Sequence, residues 1–194
     1  MFQVAAEIHH HRAEISDFGQ QLENSNLKVR SVLLDLTDPR VRSMIHALAV
    51  IYVKVTRPYL DMINNKSTGY LDLPAHIRIL DERVQLWLST PLLIFMILQS
   101  NNQPIFPGFV TDASGLMMLS AMVAPDDNEF VCTTLHSILS GILVTIKQQM
   151  KDLLPEGRYG SVAQGEQELT RFAGATNITC ERHFGSLDSS RNRH

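Results

Sequence analysis

Apolar side chains recur along this chain at spacings of three and four residues, the period that gathers them on one face of an α-helix. The clearest run follows Asp38-Pro39, an N-cap residue with proline at the first helical position. Val41, Met44, Ile45, Leu48, Ile51, Tyr52 and Val55 form its stripe. Pro58 has no amide hydrogen and clashes with the preceding turn, so that helix is expected to kink or stop near Thr56-Arg57. Turn formers cluster over residues 64–69, and Asp72-Leu73-Pro74 offers a second helix start. Ile77, Leu80, Val84, Trp87 and Leu88 then predict an amphipathic helix over about 74–89, with Asp81, Glu82 and Arg83 on its other side.

Thr90-Pro91 opens a further short helix, and residues 99–115 form the longest candidate loop. Beyond it Asp126-Asp127 caps a long stretch in which Phe130, Val131, Leu135, Ile138, Leu139, Ile142, Leu143, Ile146, Met150 and Leu153 share a face. That helix would reach ~35 Å at ~1.5 Å per residue before Pro155-Glu156-Gly157 stops it. Within residues 1–30, Val4, Ile8, Ile15, Phe18 and Leu22 suggest one or two helices. Short helices over 166–172 and 180–187 lead into a polar tail. Without βαβ alternation, the expectation is an all-α, irregular helical bundle over 1–160, with a small appended C-terminal helix and tail over 161–194.

Composition narrows the partners. A hydrophobic fraction of 44%, a charged fraction of 19% and a mean hydropathy of -0.03 are those of a folded soluble domain. The longest apolar run, residues 92–98, falls far short of the ~18–20 residues that cross a bilayer, and the N-terminus lacks the pattern of an export signal. An intracellular protein without a membrane role is expected. Twenty acidic against seventeen basic residues give a net charge of -3, which excludes a whole-surface footprint for nucleic acid and leaves room for a local patch. Cys132 and Cys180, far apart and outside any ligand spacing, read as free thiols.

Phosphate-cradling glycine loops, HExxH, GxSxG and the EF-hand pattern are all missing. His9-His10-His11 has ligand chemistry, but consecutive helical residues point about 100° apart, so the run reads as solvated. His46, His76, His136 and His183 fall singly on different elements and read as packing histidines; no metal site is expected.

One string near the C-terminus carries more. Cys180-Glu181-Arg182-His183-Phe184-Gly185 resembles the S/N-x-E-R-x-F-S motif that holds the final acidic residue of hAT-superfamily DNA transposases. Residues 56–80 and 146–160, the latter with Arg158-Tyr159, are similar to the helical insertion that precedes that glutamate in the family. The resemblance implies that Glu181 descends from a catalytic carboxylate, and it leaves Arg182 two partners, a DNA phosphate or the Asp188 carboxylate. The family needs two further aspartates on an upstream sheet to hold divalent Mg or Mn, and no strand-rich region before residue 40 supplies them. A complete transposase would use Mg or Mn; this chain is expected to need no cofactor, with Glu181 vestigial and the chain inactive by itself.

Two functions follow as expectations. The first is a transposase-derived helical domain, nuclear, with a residual DNA-binding or assembly role through Arg182, Lys147, Lys151, Arg158 and Arg57, joined by Lys54, Lys66, Arg78 and Arg83. The second is a protein–protein interaction module, pairing with itself or with a partner protein, supported by eight methionines that include Met117, Met118 and Met122 beside a loop.

Overall fold

The computed structural model describes residues 1–21, 27–65, 67–95, 105–106 and 128–160. Over these residues the fold is all-α, with no strand. The helices are α1 (Phe2–His10), α2 (Arg12–Gln21), α3 (Leu27–Thr37), α4 (Pro39–Ile51), α5 (Arg57–Asn64), α6 (Leu73–Ser89) and α7 (Asn128–Gln149). Short 3-10 turns lie at Tyr70–Asp72, Pro91–Phe95 and Lys151–Leu153. The expected helices over 166–172 and 180–187, the tail, most of the 99–115 loop and the Asp126-Asp127 cap lie outside the described residues.

Asp38 starts α4 as its sequence predicts. The residue is extended, its Oδ1 accepts from the Arg40 amide at 2.7 Å, and proline follows. The helix then takes the central place, with α1 along one side and α7 along another, while α7 also packs on α6. Enclosure on two sides revises the expected stripe. Ser43, His46, Ala47, Ala49, Val50 and Ile51 are buried, Val41, Ile45 and Leu48 are half-buried, and Met44 is exposed. A similar revision applies to α1, where Val4 faces solvent and Ala5 and Ala6 are buried. Small side chains let two helix axes come closer than branched ones would, so alanine marks this contact.

Pro58 neither stops the helix nor leaves a gap. From Tyr52 to Thr56 the backbone widens into a π-helical turn, in which the Arg57 amide donates to the Tyr52 carbonyl, and α5 continues directly. The wider turn absorbs the missing proline donor and its ring. Helix α6 starts at Leu73 behind Asp72, with proline in its first turn, and buries Leu73, Ile77, Leu80, Val84 and Trp87. Facing it, Val131, Leu135, Leu139 and Ile146 of α7 are fully or almost fully buried, and Ile105 and Phe106 complete the core.

The long helix ends at Gln149, short of Leu153, because the chain tightens into the Lys151–Leu153 3-10 turn. Glycine holds the turn that follows. A Cβ on Gly157 would strike the backbone of Lys151 and Asp152, and one on Gly160 the backbone of Leu154 and Pro155. The Tyr159 amide donates to the Asp152 carbonyl at 2.7 Å, and the Tyr159 ring meets Tyr70 edge-on at 5.6 Å. By length and composition the segment Glu129–Gln149, with mean hydropathy 1.5, would suffice to cross a bilayer. Thr133, Thr134, Ser137 and Ser140 interrupt its apolar string, so no unbroken apolar run there approaches a membrane span in length. Their hydroxyls sit within one helix, and those of Thr133, Thr134 and Ser137 donate to carbonyls one turn back.

Candidate functional site

Helices α2 and α3 stand apart from the core in one respect: neither contains a buried residue. They pack on each other where Gly19 removes a side chain, for a Cβ there would overlap Leu33. Phe18 remains 62% exposed, Leu27 80%, Val32 56% and Leu34 68%. An α-helix of ten or eleven residues is marginal in water without tertiary burial. Among the described residues, nothing covers the apolar surface of this hairpin.

A groove of about 860 Å³ runs along this hairpin to the start of α4. Ala13, Leu33, Leu34 and Leu36 contribute its apolar lining, and Arg12, Arg30 and Arg42 converge on it against a single carboxylate, Asp17. On a chain of net charge -3 this is a locally cationic site. The arginines come from three helices, so no sequence cluster announces them. The apolar signal is local: Val29, Leu33 and Leu36 repeat at four and three residues, a helical period that runs past the expected 1–30 helices.

The expected nucleic-acid residues are arranged differently. The Tyr52 hydroxyl and Asp61 raise the Arg57 pKa, and Arg57 Nε lies 3.0 and 3.1 Å from the two Asp61 carboxylate oxygens one turn on. Lys54 is half-buried. Desolvation, with the nearby Arg83 charge, pushes its ammonium pKa down. Lys147, Lys151 and Arg158 are exposed near the C-terminal end of α7, and the Arg158 guanidinium lies 5.4 Å from the Tyr159 ring centre. Lys151 and Arg158 share a trough of about 550 Å³ with Asp81, Asp152 and Glu156, three carboxylates against two cations. The described residues of this expected nucleic-acid set are thus spread over separate places, with Arg57, Lys151 and Arg158 beside acids. Glu181, Arg182 and Lys66, with Met117, Met118 and Met122, lie outside the described residues.

The histidines separate into two settings. His46 is buried in α4, its ring stacked on His9 at 4.2 Å and meeting Phe95 edge-on at 5.3 Å. His76 meets Phe106 edge-on at 5.6 Å, and burial pushes its pKa down, with Asp72 opposing. Both act as packing rings, as the sequence suggested, while His136 is exposed. Among the described residues no group of three or more His, Cys, Asp or Glu is placed to hold a metal ion. The Cys132 thiol is free, half-buried and pushed up in pKa by desolvation. Scans against family models, characterised proteins and solved structures gave no match to this chain.

Proposed function

We propose that this protein is a helical protein-interaction module whose docking surface is the α2–α3 hairpin with its adjoining groove. One observation carries the reading: two successive helices bury none of their own side chains and leave Phe18, Leu27, Val32 and Leu34 more than half exposed. Isolated exposed apolar residues are ordinary on a protein surface, but a whole supersecondary unit without a core of its own is stabilised by what covers it. The groove adds direction to the surface, because its arginines would select the charge of whatever docks.

Site-specific photo-crosslinking tests the reading. A photoreactive side chain placed at Phe18 or Leu34 should give a discrete adduct in cells, and one placed at exposed Glu129 on α7 should not. The adducted protein should then bind the purified chain and lose that binding with Phe18→Ser plus Leu34→Ser, at unchanged melting temperature. Equal adduct patterns from all three positions would refute it.

A nucleic-acid role rests on the resemblance at Cys180-Glu181-Arg182-His183-Phe184 and is separable by experiment. Binding through phosphate contacts would fall steeply with salt and weaken with Lys147→Ala, Lys151→Ala and Arg158→Ala, leaving the hairpin uninvolved.

A further inference from the structure

We infer that the occupant of the α2–α3–α4 groove is an acidic amphipathic helix of a partner protein, laid along the hairpin with its apolar stripe inward; this rests on the docking role proposed above. Shape is the first ground. The groove is an open trough walled by helices of ten and eleven residues, ~15 Å long, which matches about three turns of a docked helix.

Lining chemistry is the second ground. Leu34 and Leu36 supply apolar surface from α3, while Ala13 and Ser16 of α2 are small enough for a helix backbone to approach, Gly19 being already covered by Leu33. Charge is the third ground and selects the partner. Arg12, Arg30 and Arg42 reach the groove from α2, α3 and α4, with Asp17 as the only carboxylate among the groove-lining residues described. Guanidinium groups pair with carboxylates through two parallel hydrogen bonds, so glutamates flanking an apolar stripe would be held at several points. A lysine-flanked helix of the same shape would meet like charge and be rejected.

Fluorescence anisotropy on the full chain tests this with two labelled helical peptides of about four turns. They share a leucine stripe at i, i+3, i+4 and i+7, one flanked by glutamates and the other by lysines. The glutamate peptide is expected to bind at least ~10-fold more tightly and to weaken as salt rises from low to moderate. Arg12→Glu, Arg30→Glu and Arg42→Glu together should reverse that preference. The single Arg30→Glu variant, at an exposed position, serves if the triple variant misfolds. Equal affinity for both peptides, or none for either, overturns the inference. Binding of the unmodified chain to phosphatidylglycerol vesicles without peptide binding overturns it in favour of a membrane surface. Self-association lost on Leu34→Glu, again without peptide binding, also overturns it and names a second copy as occupant, while the docking role of the hairpin survives.

Discussion

The imidazole of His9 on α1 lies 4.2 Å from that of His46 on α4, the two planes within 17° of parallel. This stack, with Phe95 edge-on against His46 at 5.3 Å, joins the N-terminal helix to the centre of the fold. Its size and burial give His46 the energetic character of a core aromatic. Replacement by alanine should leave a void among α1, α4 and the Pro91–Phe95 turn. His46→Ala is expected to cost about 2–4 kcal/mol and His9→Ala about 1 kcal/mol, read from urea midpoints. Equal small losses for both would show that the stack is peripheral.

His76 makes stability depend on pH, and the sign follows from its environment. Burial lowers its folded-state pKa below the usual ~6.5, so the unfolded chain binds the proton more readily. Its contribution is therefore fully present above ~6.5 and is lost as pH falls from there through the lower, folded-state pKa. His76→Asn should flatten this part of the denaturation profile between neutral and mildly acidic pH. An unchanged difference between the two pH values would refute the assignment.

The Asp38 cap is accessible to a surface substitution. Removing the Oδ1 acceptor leaves an amide of the first turn of α4 without its partner. Asp38→Ala is expected to destabilise by about 1 kcal/mol, and Asp38→Ser should recover most of it. Thermal melts of the three proteins decide this.

Gly157 tests whether the turn after α7 is part of the fold. A methyl group there meets backbone rather than a yielding side chain, so Gly157→Ala should cost about 1–3 kcal/mol. Loss of the Tyr70–Tyr159 contact would accompany it, visible as a change in near-ultraviolet circular dichroism. A neutral variant would place this turn outside the cooperative unit.

Leu139 and Val144 contrast the two sides of α7. Leu139 is fully buried against the bundle and Val144 is exposed. Leu139→Ala should cost about 2–5 kcal/mol and Val144→Ala less than about 0.5 kcal/mol in aqueous buffer. Similar values for both would deny α7 its place in the core.

The elements most legible in advance were those whose determinants are local. Asp38-Pro39 and Asp72-Leu73-Pro74 each start a helix with proline in its first turn; the Asp38 carboxylate caps α4, while the Asp72 carboxylate accepts from the Gly69 amide and leaves α6 without a side-chain cap. The stripe Ile77, Leu80, Val84 and Trp87 is buried as its period requires, since α6 has one core-facing side. The face of α1 and the first turns of α4 were not legible, whereas Ile51, Tyr52 and Val55 at the end of the expected stripe are buried. A helix enclosed by two neighbours buries small residues on several sides, and Ala5, Ala6, Ala47 and Ala49 carry no hydrophobic stripe to read.

By itself the sequence determined the helical class, the starts of α4 and α6 and the packing role of His46 and His76, all of which follow from residue type and spacing over a turn or two. Only tertiary structure decided that α2 and α3 have no fully buried residue, that Arg57 is held by Tyr52 and Asp61, and that Arg12, Arg30 and Arg42 line one groove with Leu33 and Leu34. The reason is physical: which side of a helix is covered, and which charges become neighbours, depends on how separate helices pack. No local pattern encodes the distance between side chains on different elements.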